Sequence, residues 1–496
     1  MNFLGISIRN HDANISYSSG KKIKYLKFER EFNQKHFGCF DYYFIQYVLD
    51  KWKINIKDID AVAYVTDMSF FTLPHYIDNL IEELKPEDWF FKKFNCPFFK
   101  IDHHYAHSLS LWPLTDKSDV DFVLDGLGDF EKTYSIFKNE KLLKSWSIDD
   151  AESIGRMLGS LARSNKVDGH QLDLAGKLMG LKSYGKINHE FCNLFKDDIT
   201  EMQKLFGERK YYTLNTKEVK NPLNRLTSIH HKCENIILNH FKNNANENDI
   251  ITYSGGVAQN SVINGLLKKQ FNNLIIPPHC PDDGLSLGLI EFLRKYFKQE
   301  PFENTNFPYW QDDVAPSSLP SLEIINQTAE LLAKGKIVGW YQGQGELGPR
   351  ALGNRSILMN PAVKNGKEIL NNKVKKREWF RPFGATVLEE FVSNYFDFKG
   401  KSEYMLFVTE ILEKEKFSSI THVDGTCRIQ TINYKNNNHY YMLLNQFYKL
   451  TGIPILLNTS LNINGSPICS KPFQALQLFQ NTELDALVIG NEGYKK

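Results

Sequence analysis

The sequence predicts a mixed α/β protein of two domains, on three observations. It opens with short apolar runs separated by a polar loop and a glycine turn, a strand-loop-strand order. Farther on, strand-like runs lead through glycine turns into stretches whose apolar residues recur at helical spacing. At 496 residues the chain is also too long for one ordinary core.

The elements follow in order. Phe3 to Ile8 reads as a first strand, broken by Arg9-Asn10-His11-Asp12. Ile15 to Tyr17 is a second, Ser19-Gly20 a turn, and Ile23 to Phe28 a third. This opening is that of many nucleotide-binding domains of the actin and sugar-kinase type. Ala61 to Val65 and Phe122 to Leu124 are further short strands, the latter running into Asp125-Gly126-Leu127-Gly128-Asp129. Small and apolar residues recur at helical spacing from Ala151 to Leu181. Ile251 to Gly256 is a strand into a turn, with a helix expected through Asn260 and Asn264, and another beginning near Leu285. Residues 300–320, rich in Pro, Asn, Ser and Asp and without periodicity, form the best linker. Beyond them lie a helix from Glu323 to Ala333, a strand from Ile337 to Trp340, and final strands near Ile455 to Leu457 and Leu487 to Ile489. No internal repeat is visible.

Composition narrows the class. A hydrophobic share of 42% and a charged share of 24% describe a soluble globular protein. A net charge of +2 lacks the basic stripe expected of a long nucleic-acid partner, so nucleic acid is disfavoured. The seven cysteines, an odd number with no CxxC pair, argue against a zinc finger or a disulfide scaffold and predict a reducing cytoplasm. No window reaches the roughly 18 apolar residues of a membrane span, and no leader pattern precedes the first strand.

Chemistry concentrates at two places. In His103-His104-Tyr105-Ala106-His107 the outer histidines are one helical turn apart and share a face. They fit either an ordinary histidine-rich helix or two ligands of a metal completed by a carboxylate, for which Asp282 or Asp283 is available. Asp125-Gly126-Leu127-Gly128 and Ser254-Gly255-Gly256 are either structural turns or phosphate cradles, with Asn260 just beyond and Lys177 a further charge. His11 is either a loop histidine bonded to backbone or a base facing a cleft. In the second half, Gly343 to Ser356 packs four glycines around Glu346, Arg350 and Arg355. Lys373, Lys375, Lys376, Arg377 and Arg381 follow, either a solvated basic face or a pocket wall. Arg428 and Asn458 lie beside later apolar strands. Arginine forks suit phosphate and carboxylate, and such a set suits charge neutralisation at an adenylate-forming site.

Taken together these segments resemble the O-carbamoyltransferases of natural-product and nodulation-factor biosynthesis. The likeness runs through Gly5-Ile6-Ser7 with His11-Asp12-Ala13, Glu29-Arg30 with Lys35-His36, the His103 to His107 string, Asp125 to Gly128, Gly176 to Leu181, and Gly255 to Asn260. It is denser in Glu346 to Leu358, Lys375 to Glu378, Phe380 to Phe383, His422 to Gln430 and Asn458 to Ser460. Departures are Gln344-Gly345 for the usual Arg-Met, Gly384 for an alanine and Gln259 for a leucine. The resemblance implies an N-terminal actin-like, ribonuclease H-like (Kae1-like) domain over residues 1–315 and a C-terminal YrdC-like α/β domain over 316–496. It implies that carbamoyl phosphate and ATP, the latter with Mg2+, form a carbamoyl-adenylate in the second domain. The carbamoyl group then passes to a hydroxyl of a small-molecule or sugar acceptor in the first. His103, His107 and Asp282 would hold iron(II) or another divalent metal, Asp282 preferred over Asp283 from the family's spacing to Gly284 to Gly288. His11 would be the base, and Arg350, Lys375, Arg381, Arg428 and Asn458 would bind carbamoyl phosphate and the adenylate.

A cytoplasmic enzyme, monomeric or homodimeric, is the expectation. Its rivals are a tRNA threonylcarbamoyladenosine-type enzyme, weakened by the modest charge, and a catalytically silent nucleotide-binding scaffold. A hydrogenase-maturation carbamoyltransferase needs an acylphosphatase domain and CxxC zinc motifs that the sequence lacks.

Overall fold

The computed structural model describes residues 1–66, 79–85, 89–206, 219 and 221–496. Three mixed sheets carry the chain. In the first, Asn2–Ile8, Asn14–Ser19 and Lys22–Lys27 form an antiparallel meander. Ala61–Thr66 then adds parallel to Asn2–Ile8, Phe98–Ile101 adds parallel to that, and Ile81–Leu84 closes the edge antiparallel. Every residue of Ala61–Thr66 is buried, as a parallel strand covered on both faces must be. The second sheet repeats the plan. Val120–Leu124, Lys132–Lys138 and Lys141–Ser147 form the meander, and Ile251–Ser254 and Leu274–Ile275 add in parallel. The sequence shows no repeat, yet the strand order recurs, because backbone pairing depends on apolar pattern and turn position rather than on residue identity.

The third sheet has eight strands, in the order Phe407–Glu410, Thr426–Ile432, Gly384–Leu388, Ile455–Ser460, Arg355–Met359, Val338–Tyr341, Ala486–Ile489 and Glu492–Lys495. An unbroken apolar cluster joins the second sheet to the third, running from Phe122, Leu178 and Ile263 to Phe380, Phe383 and Phe407.

The segment 300–320 has no helix or strand, but it is not a loose tether. Gln311 makes isolated bridges to Tyr25 on one side and Gly345 on the other. Asp313 is buried against Arg355 at 2.8 Å, and Trp52 donates to Asp312 at 2.7 Å. Gly348, at φ +78°, fits where it does because a Cβ there would lie 1.9 Å from the Pro278 carbonyl oxygen. The two halves are therefore seated on one another through the glycine-rich run.

Two helices place the first chemical centre. His103–Leu109, buried throughout and capped by the Asp102 carboxylate, packs against Leu285–Tyr296. Gly288 makes that approach possible, since a Cβ would meet the Ala106 carbonyl oxygen at 2.0 Å. The turn Asp282–Gly284 leads directly into the second helix, which brings its carboxylates to the histidines.

Candidate active site

His103 and His107 are both wholly buried, with their Nε2 atoms 3.1 Å apart. Asp282 Oδ1 lies 3.2 Å from His107 Nε2 and 3.5 Å from His103 Nε2. Asp283 turns away to the Lys27 ammonium at 2.8 Å, so the two neighbouring carboxylates face different partners. A fourth group joins the set. Asp125, at the end of Val120–Leu124, puts Oδ2 3.0 Å from His103 Nε2 while Oδ1 accepts from the Gly256 amide. Sequence reasoning took Asp125 for part of a phosphate turn; a carboxylate ending a buried strand was the available signal for a ligand.

The donor atoms of His103, His107, Asp125 and Asp282 all lie within 4.8 Å of one another. Burial holds His103 neutral by pushing its pKa well down, and Arg9 adds to the effect. Burial works against Asp282, but the Arg9 guanidinium at 3.2 Å prevails and holds its carboxyl at about 2. Two imidazole nitrogens facing two carboxylates in a dry site fit a divalent cation. A second group, Asp12, Glu29 and His36, is also close-set, but Lys27 already supplies its positive charge, 3.1 Å from Asp12 and 3.3 Å from Glu29. His11 stands at the rim, Nδ1 3.2 Å from Asp12 and 3.7 Å from Asp282. Burial lowers its pKa, but the Asp12 hydrogen bond and the Asp282 charge outweigh that and raise it.

The cationic centre sorts its residues by local backbone. Leu370–Lys375 winds as a π-helical turn and Lys376 takes a left-handed conformation, φ +48°. Lys373 and Lys376 are consequently exposed, whereas Lys375 is buried and Arg377 lies over the Phe383 ring at 4.4 Å. Lys375 Nζ lies 2.6–3.2 Å from the Ser460 and Asn462 carbonyl oxygens, Ser460 Oγ and Asn462 Oδ1. Burial first, then Arg377 and Arg381, pushes the Lys375 pKa well down. Arg350 falls to about 10 through burial, with Arg381 adding repulsion, and Arg428 is lowered by burial and Arg350. The buried Nε atoms of Arg350 and Arg428 have no hydrogen-bond partner among the described residues. Crowded, desolvated guanidiniums suit an anion.

Both centres open on a single cavity of about 1180 Å³. It is lined by His11, Asp125, Gly126, Gly128, Gly256 and Asp282 from the first half, and by Arg350, Lys375, Arg377, Arg381 and Arg428 from the second. Other residues singled out in the sequence make the following contacts. Gly255, φ +90°, allows the turn to close on the Leu124 carbonyl, where a Cβ would approach to 2.3 Å. Gly128 packs on the His104 ring. Asn260 reaches the cavity wall, but its carbonyl caps the helix Ser261–Gln270 and its amide faces His230 at 3.2 Å. Arg355 pairs with Asp313 and stacks on Tyr341, and the Asn458 amide bonds to Ala351, Thr386 and Gln430; neither lines the cavity. Lys177 lines the cavity and pairs with Glu378 at 2.5 Å.

A close-set group of histidines and carboxylates sharing one cavity with desolvated arginines fits a group-transfer enzyme. Family comparison makes the class specific. The model for the carbamoyltransferase N-terminus matches residues 63–289 and that for the carbamoyltransferase C-terminus matches residues 329–496, so the chain belongs to the carbamoyltransferase family and is a carbamoyltransferase. Nodulation protein NolNO of Sinorhizobium fredii is 29% identical over 98% of this chain and 79% of its own length. The 3'-hydroxymethylcephem-O-carbamoyltransferase of Amycolatopsis lactamdurans is 26% identical over 80% of this chain and 81% of its own. Nodulation protein NolO of Bradyrhizobium diazoefficiens is 37% identical over 48% and 47% respectively. All seven cysteines are unpaired, and no helix among the described residues is long and apolar enough to cross a membrane.

Proposed function

We propose that this carbamoyltransferase is an ATP-dependent O-carbamoyltransferase working in two half-reactions within one molecule. The carrying observation is the single cavity shared by the cationic cluster and the histidine–aspartate group. In the first half-reaction water releases phosphate from carbamoyl phosphate. A carbamate oxygen then attacks the α-phosphorus of ATP, pyrophosphate leaves, and carbamoyl-adenylate remains. Arg350, Lys375, Arg377, Arg381 and Arg428 offset the charge that gathers on the phosphoryl oxygens. In the second, an acceptor hydroxyl attacks the carbamoyl carbon, AMP leaves, and the hydroxyl proton passes to His11 Nε2, whose ring Asp12 orients.

His103, His107, Asp125 and Asp282 would hold a divalent metal, iron(II) by the family likeness, supplying a positive charge beside the acceptor hydroxyl or carbamoyl oxygen. Mg2+ would accompany ATP. The duplicated strand plan supports reading residues 1–315 as the actin-like, Kae1-like transfer domain, leaving 316–496 as the YrdC-like activating domain. The acceptor is a hydroxylated small molecule such as a sugar, aminoglycoside, macrolide or polyketide. Building a labile mixed anhydride inside the cavity that consumes it limits its loss to water.

The test is exchange of labelled pyrophosphate into ATP. Label enters ATP when carbamoyl phosphate is present, without tRNA. No exchange, or exchange only with tRNA, overturns the assignment.

A further inference from the structure

The helix Gln171–Leu181 belongs to the first half, yet it is seated on the loop that carries Arg381. A Cβ on Gly180 would lie 3.0 Å from Pro382 Cδ and 3.4 Å from the Phe380 carbonyl oxygen. One turn earlier, Lys177 is 5% exposed at the cavity wall. Its ammonium donates to the Asp168 carbonyl at 2.5 Å and to Glu378 Oε1 at 2.5 Å, and Gly169, at φ +136°, closes over it. Glu378 in turn faces Arg381, its Oε2 3.6 Å from the guanidinium. Lys177 is therefore linked to Arg381 through Glu378.

Arg381 is surrounded by like charge, its field felt by Lys375, Arg350 and Arg428. Glu378 is the carboxylate beside it. A carboxylate shared between Lys177 and Arg381 leaves Arg381 only partly neutralised. Without the ammonium, the whole Glu378 charge falls on Arg381 and draws it into a closer pair, away from an incoming anion.

The geometry points to Lys177 as a positioning residue for carbamoyl-adenylate formation, acting across the two halves by holding Glu378 off Arg381. This rests on the adenylate-forming reading above and adds to it a residue of the transfer half that controls the activation half.

The test is an epistasis measurement on pyrophosphate exchange with carbamoyl phosphate as the varied substrate, alongside thermal melting. Lys177→Met is expected to lower exchange by about 10-fold, chiefly through a raised KM for carbamoyl phosphate, a size ordinary for coupled neighbours. Adding Glu378→Gln to that variant removes the misplaced charge and returns exchange to within about threefold of the parent. A lysine that only stabilised the fold predicts the reverse, a double variant as impaired as the single one or worse. That result overturns the inference, as does unchanged exchange in a folded Lys177→Met enzyme. If the parent itself shows no exchange, the adenylate reading fails and this inference with it. Exchange in the parent with no recovery in the double variant removes the inference alone.

Discussion

Replacing Lys375 by alanine is expected to reduce carbamoyl-phosphate-dependent pyrophosphate exchange by about 10²–10³-fold, the range seen when one preorganised charge donor is removed. The residue is 2% exposed and its ammonium holds oxygens of Ser460 and Asn462, so it fixes the loop that walls the cavity. Its surroundings are positive, and burial with Arg377 and Arg381 already disfavours its charge. An entering polyanion reverses that balance, so substrate binding and full charging of Lys375 reinforce one another. Arginine is not an adequate substitute, because its planar fork cannot occupy the compact oxygen nest that an ammonium fills. Exchange measured in Lys375→Ala and Lys375→Arg, each checked for a cooperative melt, gives the answer. Near-parental rates in either variant contradict the role.

The second large effect is confined to the other half-reaction. Asp282→Asn is expected to lower bound metal at least about 10-fold and to cut carbamoyl transfer to an acceptor by about 10²-fold or more, while exchange stays within about threefold of the parent. Asparagine is the informative change because it keeps the shape that seats Arg9. Alanine would remove the acceptor oxygen beside that guanidinium as well as the charge, and the added loss of stability would blur the outcome. Metal content and transfer to a hydroxylated acceptor, chosen from a panel of sugars, aminoglycosides, macrolides and cephems, are read on the same preparation. Loss of exchange in parallel with transfer would place the metal group in activation instead.

Much of this was legible because it depended on short-range pattern. The opening meander, the strand begun by the apolar run Ala61 to Val65 and the helices after Asn260 and Gly284 follow from apolar spacing and turn residues. His103 and His107 were readable as a pair because one helical turn separates them. What escaped depended on tertiary placement. Asp125 ends a strand beside two glycines, a setting that serves a phosphate turn and a ligand equally well. Only the fold puts it 3.0 Å from His103. Arg350 and Arg355 sit in the same glycine-rich string, yet Arg355 begins a buried strand and is held by Asp313, while Arg350 reaches the cavity. Lys177 looked like a free charge because its partner, Glu378, lies 201 residues away. The repeated strand plan was hidden for the same reason: two sheets of one topology share an apolar rhythm, not a sequence.

The central claim is that the activated carbamoyl group is made and used inside one cavity of one molecule. Mixing the two crippled enzymes, Lys375→Ala and Asp282→Asn, in one solution with ATP, carbamoyl phosphate and acceptor tests it most directly. One variant retains activation and the other retains transfer. If the intermediate stays enclosed, the mixture forms no more carbamoylated product than the sum of its parts. If product formation climbs toward the parental rate as the two are combined, the intermediate travels through bulk water and the shared cavity is not what joins the half-reactions.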